Sequence, residues 1–217
     1  MNRPSSQFAL LTLAALLVPG LGCAAELQTI ALPKPQTDGG RPLMQALKAR
    51  HSTREYSDQK LSQQTLSNLL WAAWGINRPE SGKRTAPSAR NWQEIDVFVI
   101  LPEATYVNDA KAHALKPVVA KDLRPIAGTQ DYPKTAPVNL LYVADLSKIT
   151  KGGAESKAFY SAADAGFIAQ NVYLFCASEG LGTVVRGLID RPALAKALGL
   201  KPQHKVLLGQ TVGYPKK

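Results

Sequence analysis

Between Ile95 and Leu101 the chain reads Ile-Asp-Val-Phe-Val-Ile-Leu, and Val138 to Ala144 is a second apolar run of the same kind. β-Branched and aromatic runs with so few polar breaks belong to strands buried on both faces, so the centre of the fold must be a covered sheet. The flanking patterns decide its type. Arg41 to Arg50 predicts a short helix with Leu43, Ala46 and Leu47 on one face. Ser62 predicts the N-cap of a second helix, with Leu66, Leu69, Leu70 and Ala73 at helical spacing and its end at Gly75. Both faces read as core. Tyr106-Val107 and Leu115 to Val119 bracket a polar segment and predict a ribbon or hairpin. Beyond the second run come a long helix from about Ala158 to Glu179, a short helix capped by Asp190 and running through Leu198, and a last strand from Lys205 to Val212. In the long helix Phe159, Ala163, Gly166, Gln170, Tyr173 and Ala177 fall roughly in line. No strand–helix unit repeats in this order. An α+β fold follows, with a central, mainly antiparallel sheet flanked by helices rather than a doubly wound parallel one.

Residues 1–25 read as an export signal: Arg3 gives a basic start, Phe8 to Val18 is apolar, and Gly22-Cys23-Ala24-Ala25 offers small residues for cleavage. The segment is too short for a membrane span with its flanks, so a periplasmic protein without stable membrane insertion is expected. Lipid anchoring at Cys23 ranks second, because Gly20 stands where a lipoprotein signal normally has leucine. Residues 26–40, rich in Pro, Gln, Thr and Gly, read as an extended leader, and 41–217 as a single domain. The 26 basic and 16 acidic side chains leave a net charge of +10, which could attract nucleic acid, anionic lipid or an anionic cofactor. No zinc-finger spacing, nucleic-acid motif or basic amphipathic helix accompanies it, and no nucleic-acid partner is expected. With Cys23 in the signal, Cys176 is the one remaining thiol, and its apolar helical setting predicts a buried, inert side chain. Three histidines without paired cysteines give no expectation of a metal site.

Four separated segments carry groups suited to a phosphate-bearing cofactor. Arg50-His51-Ser52-Thr53-Arg54-Glu55-Tyr56 puts two guanidiniums, an imidazole and two hydroxyls just after a predicted helix. Guanidiniums are planar, permanently charged donors for phosphate oxygens, although taken alone such a run is more often a solvated surface. Pro87-Ser88-Ala89-Arg90-Asn91-Trp92-Gln93 is a loop of short hydroxyl and amide side chains before a buried strand, and alone it would be an ordinary turn. Gly180-Leu181-Gly182-Thr183-Val184-Val185-Arg186-Gly187 reads as a C-cap and turn after the long helix. Gly213-Tyr214-Pro215-Lys216-Lys217 follows the last strand, which would hold it in place.

In that order and at those separations, RHSTREY, APSARNWQ, GLGT with Arg186-Gly187, and GYPK resemble the FMN-dependent nitroreductase family over nearly all of the chain after the signal. The resemblance implies an intertwined α+β homodimer with two FMN sites at the subunit interface, each built from both chains. By position, Arg50, His51 and Ser52 match phosphate-side contacts and Arg54 a basic residue near the flavin pyrimidine edge. Pro87, Ser88, Ala89, Asn91 and Gln93 match a loop supplied by the opposite subunit. Gly187 matches a backbone amide that donates to flavin N5, with Val185 and Arg186 beside it, and Lys216 a C-terminal cation reaching the phosphate. Arg186 stands where many members are acidic, Ala89 where many have serine, and the arginine of longer tails is missing; substrate preference therefore does not transfer.

The expected activity is FMN-dependent oxidoreduction by a ping-pong cycle between a reduced donor, NAD(P)H among the candidates, and a small planar acceptor such as a nitroaromatic or quinone. An FMN-binding or electron-transfer module without turnover is the alternative. Flavin carries the redox chemistry, so no acid–base residue is required of the protein. A guanidinium at the pyrimidine edge would raise the two-electron potential by at most roughly 90 mV before solvent screening. Asn108, Asp109 and His113 read as a polar turn, Gln170-Asn171 as structural hydrogen bonding ahead of a role in the dimer interface, Trp71, Trp74 and Tyr173 as core, and Asp164 has no identifiable partner.

Overall fold

A computed structural model describes residues 27–216. Its strands are β1 (Ile30–Ala31), β2 (Ile76–Arg78), β3 (Lys83–Arg84), β4 (Ile95–Ile100), β5 (Thr105–Asp109), β6 (Ala114–Val119), β7 (Val138–Asp145), β8 (Gly182–Arg186) and β9 (His204–Gly213). The helices are α1 (Leu43–Ala49), α2 (Gln63–Trp74), α3 (Tyr132–Thr135), α4 (Ala154–Glu179) and α5 (Arg191–Ala197). Seven strands form one sheet in the order β1-β6-β5-β4-β7-β9-β8, every neighbouring pair antiparallel, while β2 and β3 make a separate hairpin. The α+β expectation holds.

Both apolar runs lie at the sheet's centre, and the register explains their composition. Val97 and Val99 of β4 join Leu140 and Tyr142 of β7 on the face covered by Leu69 and Leu70 of α2 and Ile168 and Val172 of α4. The alternate residues Phe98 and Ile100, with Leu141 and Val143, pack on the opposite face against Leu123 and, from α5, Leu194. With apolar material on both sides, neither set could be polar. Each fully buried Leu or Ile contributes about 1.5–3 kcal/mol relative to exposure.

The helix limits follow local chemistry. Ser62 Oγ accepts the Thr65 N–H at 3.0 Å at the start of α2, as expected of an N-cap. At its other end Gly75 is extended, and its lack of a side chain serves close packing: a Cβ there would lie 2.5 Å from Trp71 Cδ1. α4 ends at Gly180, whose φ of 72° is the left-handed cap conformation. Asp190 accepts the Ala193 N–H at 3.0 Å and caps α5.

Three expectations need correction. α1 is not a core helix within one chain: Leu43 and Met44 are 62% and 74% exposed, Leu47 is also exposed, and of this helix only Ala46 is buried. α4 begins at Ala154, a turn earlier than predicted, and its buried stripe is Asp164, Ala165, Ile168, Val172, Tyr173 and Cys176, whereas Phe159, Gly166 and Gln170 face outward. The segment read as a glycine turn after α4 is strand β8, and the β2–β3 hairpin was not anticipated. Part of the leader pairs within the chain: β1 pairs with β6, Leu32 is buried, and Ser67 Oγ of α2 donates to Pro33 O at 2.5 Å. Residues 1–26 and Lys217, and with them the signal segment and Cys23, fall outside the described residues. No helix among the described residues is long and apolar enough to cross a membrane.

Candidate functional site

Tyr173, buried on α4, gathers two of the four segments. Its hydroxyl accepts the Val185 N–H at 3.0 Å and shares a 2.9 Å hydrogen bond with Ser52 Oγ, which leaves the phenolic hydrogen for Ser52. The Arg50 guanidinium lies over the same ring, 5.2 Å from its centroid. Thr53 N–H donates to Thr183 O at 2.9 Å, so the arginine run lies directly alongside β8. Gly182 permits that approach, because a Cβ on it would meet Thr53 Cγ2 at 2.7 Å. The C-terminal segment joins from the other side: Tyr56 bridges to Pro215, Ser57 N–H donates to Tyr214 O at 2.9 Å, and Lys216 N–H donates to Glu55 O at 3.1 Å.

Arg50, His51, Ser52, Arg54, Val185, Gly187 and Lys216 therefore come from three segments that the fold brings together. His51 Nδ1 is hydrogen-bonded to Ala49 O at 2.8 Å, which orients the ring. Among the described residues no ion pair involves Arg50, Arg54 or Lys216. A cluster of unneutralised cations beside an exposed glycine, with nothing within 4 Å of where a Gly187 Cβ would stand, fits an anionic ligand with a flat polar edge. The cluster is an open surface. A cavity of about 480 Å³ lies elsewhere, between residues 36–43, α2 and α4, and holds none of the predicted site residues.

Arg186 is set apart from this group. Its side chain, 5% exposed, donates from Nε and Nη2 to Ala127 O at 3.1 and 2.8 Å, from Nη2 to Asn139 Oδ1 at 2.6 Å and from Nη1 to Thr211 Oγ1 at 2.5 Å. Gly128 and Gly209 leave it room, since Cβ atoms there would meet the side chain at 2.7 and 3.2 Å. Burial draws its pKa down to about 10. What Arg186 can present to a ligand is backbone.

Pro87, Ser88, Ala89, Asn91 and Gln93 occupy a different place. Ala89 N–H donates to Asp164 Oδ2 of α4 at 2.9 Å, and Gln93 N–H to Ser88 Oγ at 2.9 Å. Asp164 precedes Tyr173 by nine residues, so along the helix the loop's anchor is roughly 13 Å from the arginine cluster. Arg90, Asn91 and Gln93 all have left-handed backbone, with φ of 51°, 56° and 50°. Three such non-glycine residues in four positions are costly, and conformations of this kind concentrate at ligand sites.

Two buried acids hold this loop, and neither was legible in the linear pattern. Asp164 is 1% and Glu94 0% exposed. Glu94 Oε2 accepts from Ser88 Oγ at 3.4 Å, while Glu94 Oε1 and Ser161 Oγ are buried without a hydrogen-bond partner. Burial, with Asp164 close by, holds the Glu94 carboxyl above the usual carboxylate range. A raised folded pKa means that the folded state binds this proton more tightly. The resulting stability is complete below the unfolded value near 4.5 and is lost as pH rises through the folded value. Glu94→Gln should abolish that loss and leave the variant more stable than the parent at about pH 8. Chemical denaturation of both proteins across the pH range checks this; parallel profiles would contradict it.

The remaining candidates are structural. Cys176 is buried and its thiol pushed far up by desolvation, as an inert side chain requires. His113 Nε2 contacts Ser67 Oγ at 2.7 Å and Pro33 O at 3.1 Å, and Asp109 Oδ1 accepts the Lys111 and Ala112 N–H groups of the β5–β6 turn. Asn171 donates to Ala72 O at 3.1 Å, a contact between α4 and α2 within the chain. Asp96, Asp145 and His204 bring one ligand atom each within 4.8 Å of one another, but Lys148 Nζ already neutralises Asp96 at 2.7 Å.

Comparison with known proteins identifies the family. The sequence model of the nitroreductase family matches residues 47–214. A nitroreductase-type protein from Methanocaldococcus jannaschii is 28% identical over 169 residues, covering 73% of this chain and 85% of its own. A crystal structure of a nitroreductase-type protein from Ralstonia eutropha superposes with a TM-score of 0.83 at 43% identity, over 87% of this chain and 90% of that one. The NADPH:FMN oxidoreductase of Vibrio harveyi, solved with NAD+, shares the fold at a TM-score of 0.61 and 20% identity, over 81% of this chain and 69% of that one. The chain belongs to the nitroreductase family of flavin-dependent oxidoreductases.

Proposed function

We propose that this protein is an exported, periplasmic FMN-dependent oxidoreductase. As a homodimer it would pass hydride or electrons by a ping-pong cycle between a reduced donor and a small planar acceptor such as a nitroaromatic or quinone. Bound FMN supplies the redox chemistry, and the chain binds and tunes it. Arg50, His51, Ser52 and Lys216 hold the phosphate side, Arg54 faces the pyrimidine edge, and the backbone from Val185 to Gly187 lies along the ring. Pro87, Ser88, Ala89, Asn91 and Gln93 close the site from the second chain.

The observation that carries the reading is the division of the site residues. Three segments meet near one end of α4, and the fourth is fixed roughly 13 Å along the same helix, a separation that supports its closing the site of a second copy. Surface composition agrees with pairing. Leu43 and Met44 on α1 and Phe159 and Phe167 on α4 expose apolar area of the kind a partner copy would cover. Export rests on the pattern of residues 1–25. Because exported space holds little NAD(P)H, another donor, or oxygen as acceptor, stays within the reading.

Turnover separates the enzyme from an electron-transfer module. A hydride donor should bleach the bound flavin, and a nitroaromatic or quinone should restore its colour over many cycles; flavin that binds and never cycles would favour the module. Arg54 has a tuning role. It is exposed, so its charge acts through a high dielectric and contributes about 1 kcal/mol, or roughly 20 mV for a two-electron couple. Arg54→Gln should lower the flavin potential by about that much in a dye-linked titration, and a potential that rises or stays put contradicts the assignment.

A further inference from the structure

The β2–β3 hairpin and the loop after it enclose a cavity of about 240 Å³ lined by Arg78, Lys83 and Arg84 together with Pro87, Ser88 and Asn91. No carboxylate lines it, and among the described residues none of the three cations enters an ion pair. Arg84 is built into the fold. It stacks 4.9 Å from the Trp74 ring centroid, donates from Nη1 to Trp74 O at 2.9 Å and from Nε to Gln93 Oε1 at 2.7 Å, and is half-buried. Burial lowers its pKa, the mark of a cation taken out of water without a counter-ion in contact. Its Nη2 has no hydrogen-bond partner among the described residues. Arg78 is held by its own donation from Nη2 to Arg84 O at 2.7 Å. Gln93 Nε2 donates to Gly82 O and to Asn91 Oδ1 at 3.1 and 3.0 Å, which ties the loop to the hairpin.

Three like charges around one cavity repel one another unless an anion sits among them, and two guanidiniums held in place, with the Asn91 amide at the rim, form a receptor for a small oxyanion. We propose that this cavity binds the anionic group, a carboxylate or phosphate, of the substrate that approaches the flavin. The inference rests on the reading that the Pro87–Gln93 loop faces the flavin of the partner subunit. It adds the substrate's charge, and Arg78, Lys83 and Arg84 as the residues that select it.

The test is calorimetric titration of the FMN-loaded protein with benzoate and, separately, with inorganic phosphate at low ionic strength, while the flavin absorbance of the same samples is recorded. Expected is saturable binding of at least one of these anions, one per chain, weakened roughly tenfold or more in Arg78→Met/Lys83→Met and measurably in Lys83→Met alone. The tighter of the two anions identifies the group, and its binding should perturb the flavin spectrum with the same dissociation constant. Absence of saturable binding, or equal affinity in the substituted proteins, overturns the site. Binding that leaves the flavin spectrum unmoved overturns its assignment to the substrate. A protein that takes up the anion but not FMN would refute the flavin reading instead and leave the anion site standing.

Discussion

Arg186→Ala should destabilise the folded protein by about 3 kcal/mol. The guanidinium makes four donations inside the protein, to Ala127 O, Asn139 Oδ1 and Thr211 Oγ1, and ties the end of β8 to β7, β9 and the segment before α3. Truncation takes both side-chain donors from Ala127 O, at about 1–3 kcal/mol for a buried acceptor left unpaired, removes one donor each from Asn139 Oδ1 and Thr211 Oγ1, and opens a cavity between Gly128 and Gly209. Relief from burying an unpaired cation offsets part of this, which keeps the net figure below the simple sum. Arg186→Met separates the contributions. It keeps most of the apolar volume and loses every hydrogen bond, so it should recover only the cavity component. For a domain of this size 3 kcal/mol corresponds to a fall in Tm of roughly 10 °C, read by thermal denaturation of flavin-free protein. A fall of only a degree or two would show that the buried guanidinium is not a structural tie.

The second large effect is on cofactor affinity. Arg50→Ala should raise the FMN dissociation constant about a hundredfold, the scale of a lost charge-assisted contact to phosphate. It should do so without unfolding the chain, because the contact it gives up inside the protein is stacking over Tyr173, worth about 0.5–1 kcal/mol. Arg50→Lys should fall between, keeping charge but losing the planar fork. Bound flavin after gel filtration, with mass from light scattering, gives occupancy and assembly together. Unchanged occupancy would remove Arg50 from the phosphate site.

What sequence reasoning reached and what it missed divide along one physical line. Elements whose signal is local were legible: the Ser62 cap, the doubly buried runs of β4 and β7, the β5–β6 hairpin and the Asp190 cap all depend on residues within a few positions of one another. β8 was read as a turn because Gly180 and Gly182 look alike in a linear string. Gly180 does terminate α4, but Gly182 is small because Thr53, far away in sequence, packs against it. The outward face of α1 was assigned to the core since an apolar stripe carries no mark of whether its cover lies in the same chain. Asp164 and Glu94 were passed over for the same reason: their partners in the Ser88–Gln93 loop are defined only by tertiary approach. Within the candidate site, Arg50, Ser52, Val185 and Lys216 are legible from short motifs; Tyr173 is buried, as its helical spacing predicts, and its link to three of those positions is set only by tertiary approach.

The central claim is that each flavin lies between the arginine cluster of one chain and the loop of another, and subunit complementation tests it most directly. Arg50→Ala and Asn91→Asp homodimers should each hold little FMN. Co-expressed as a heterodimer, the two chains restore one complete site from the intact Arg50 of one and the intact Asn91 of the other. The account predicts about one flavin per two chains in that heterodimer. A heterodimer as empty as its parents would place both residues on the same chain's site and contradict it.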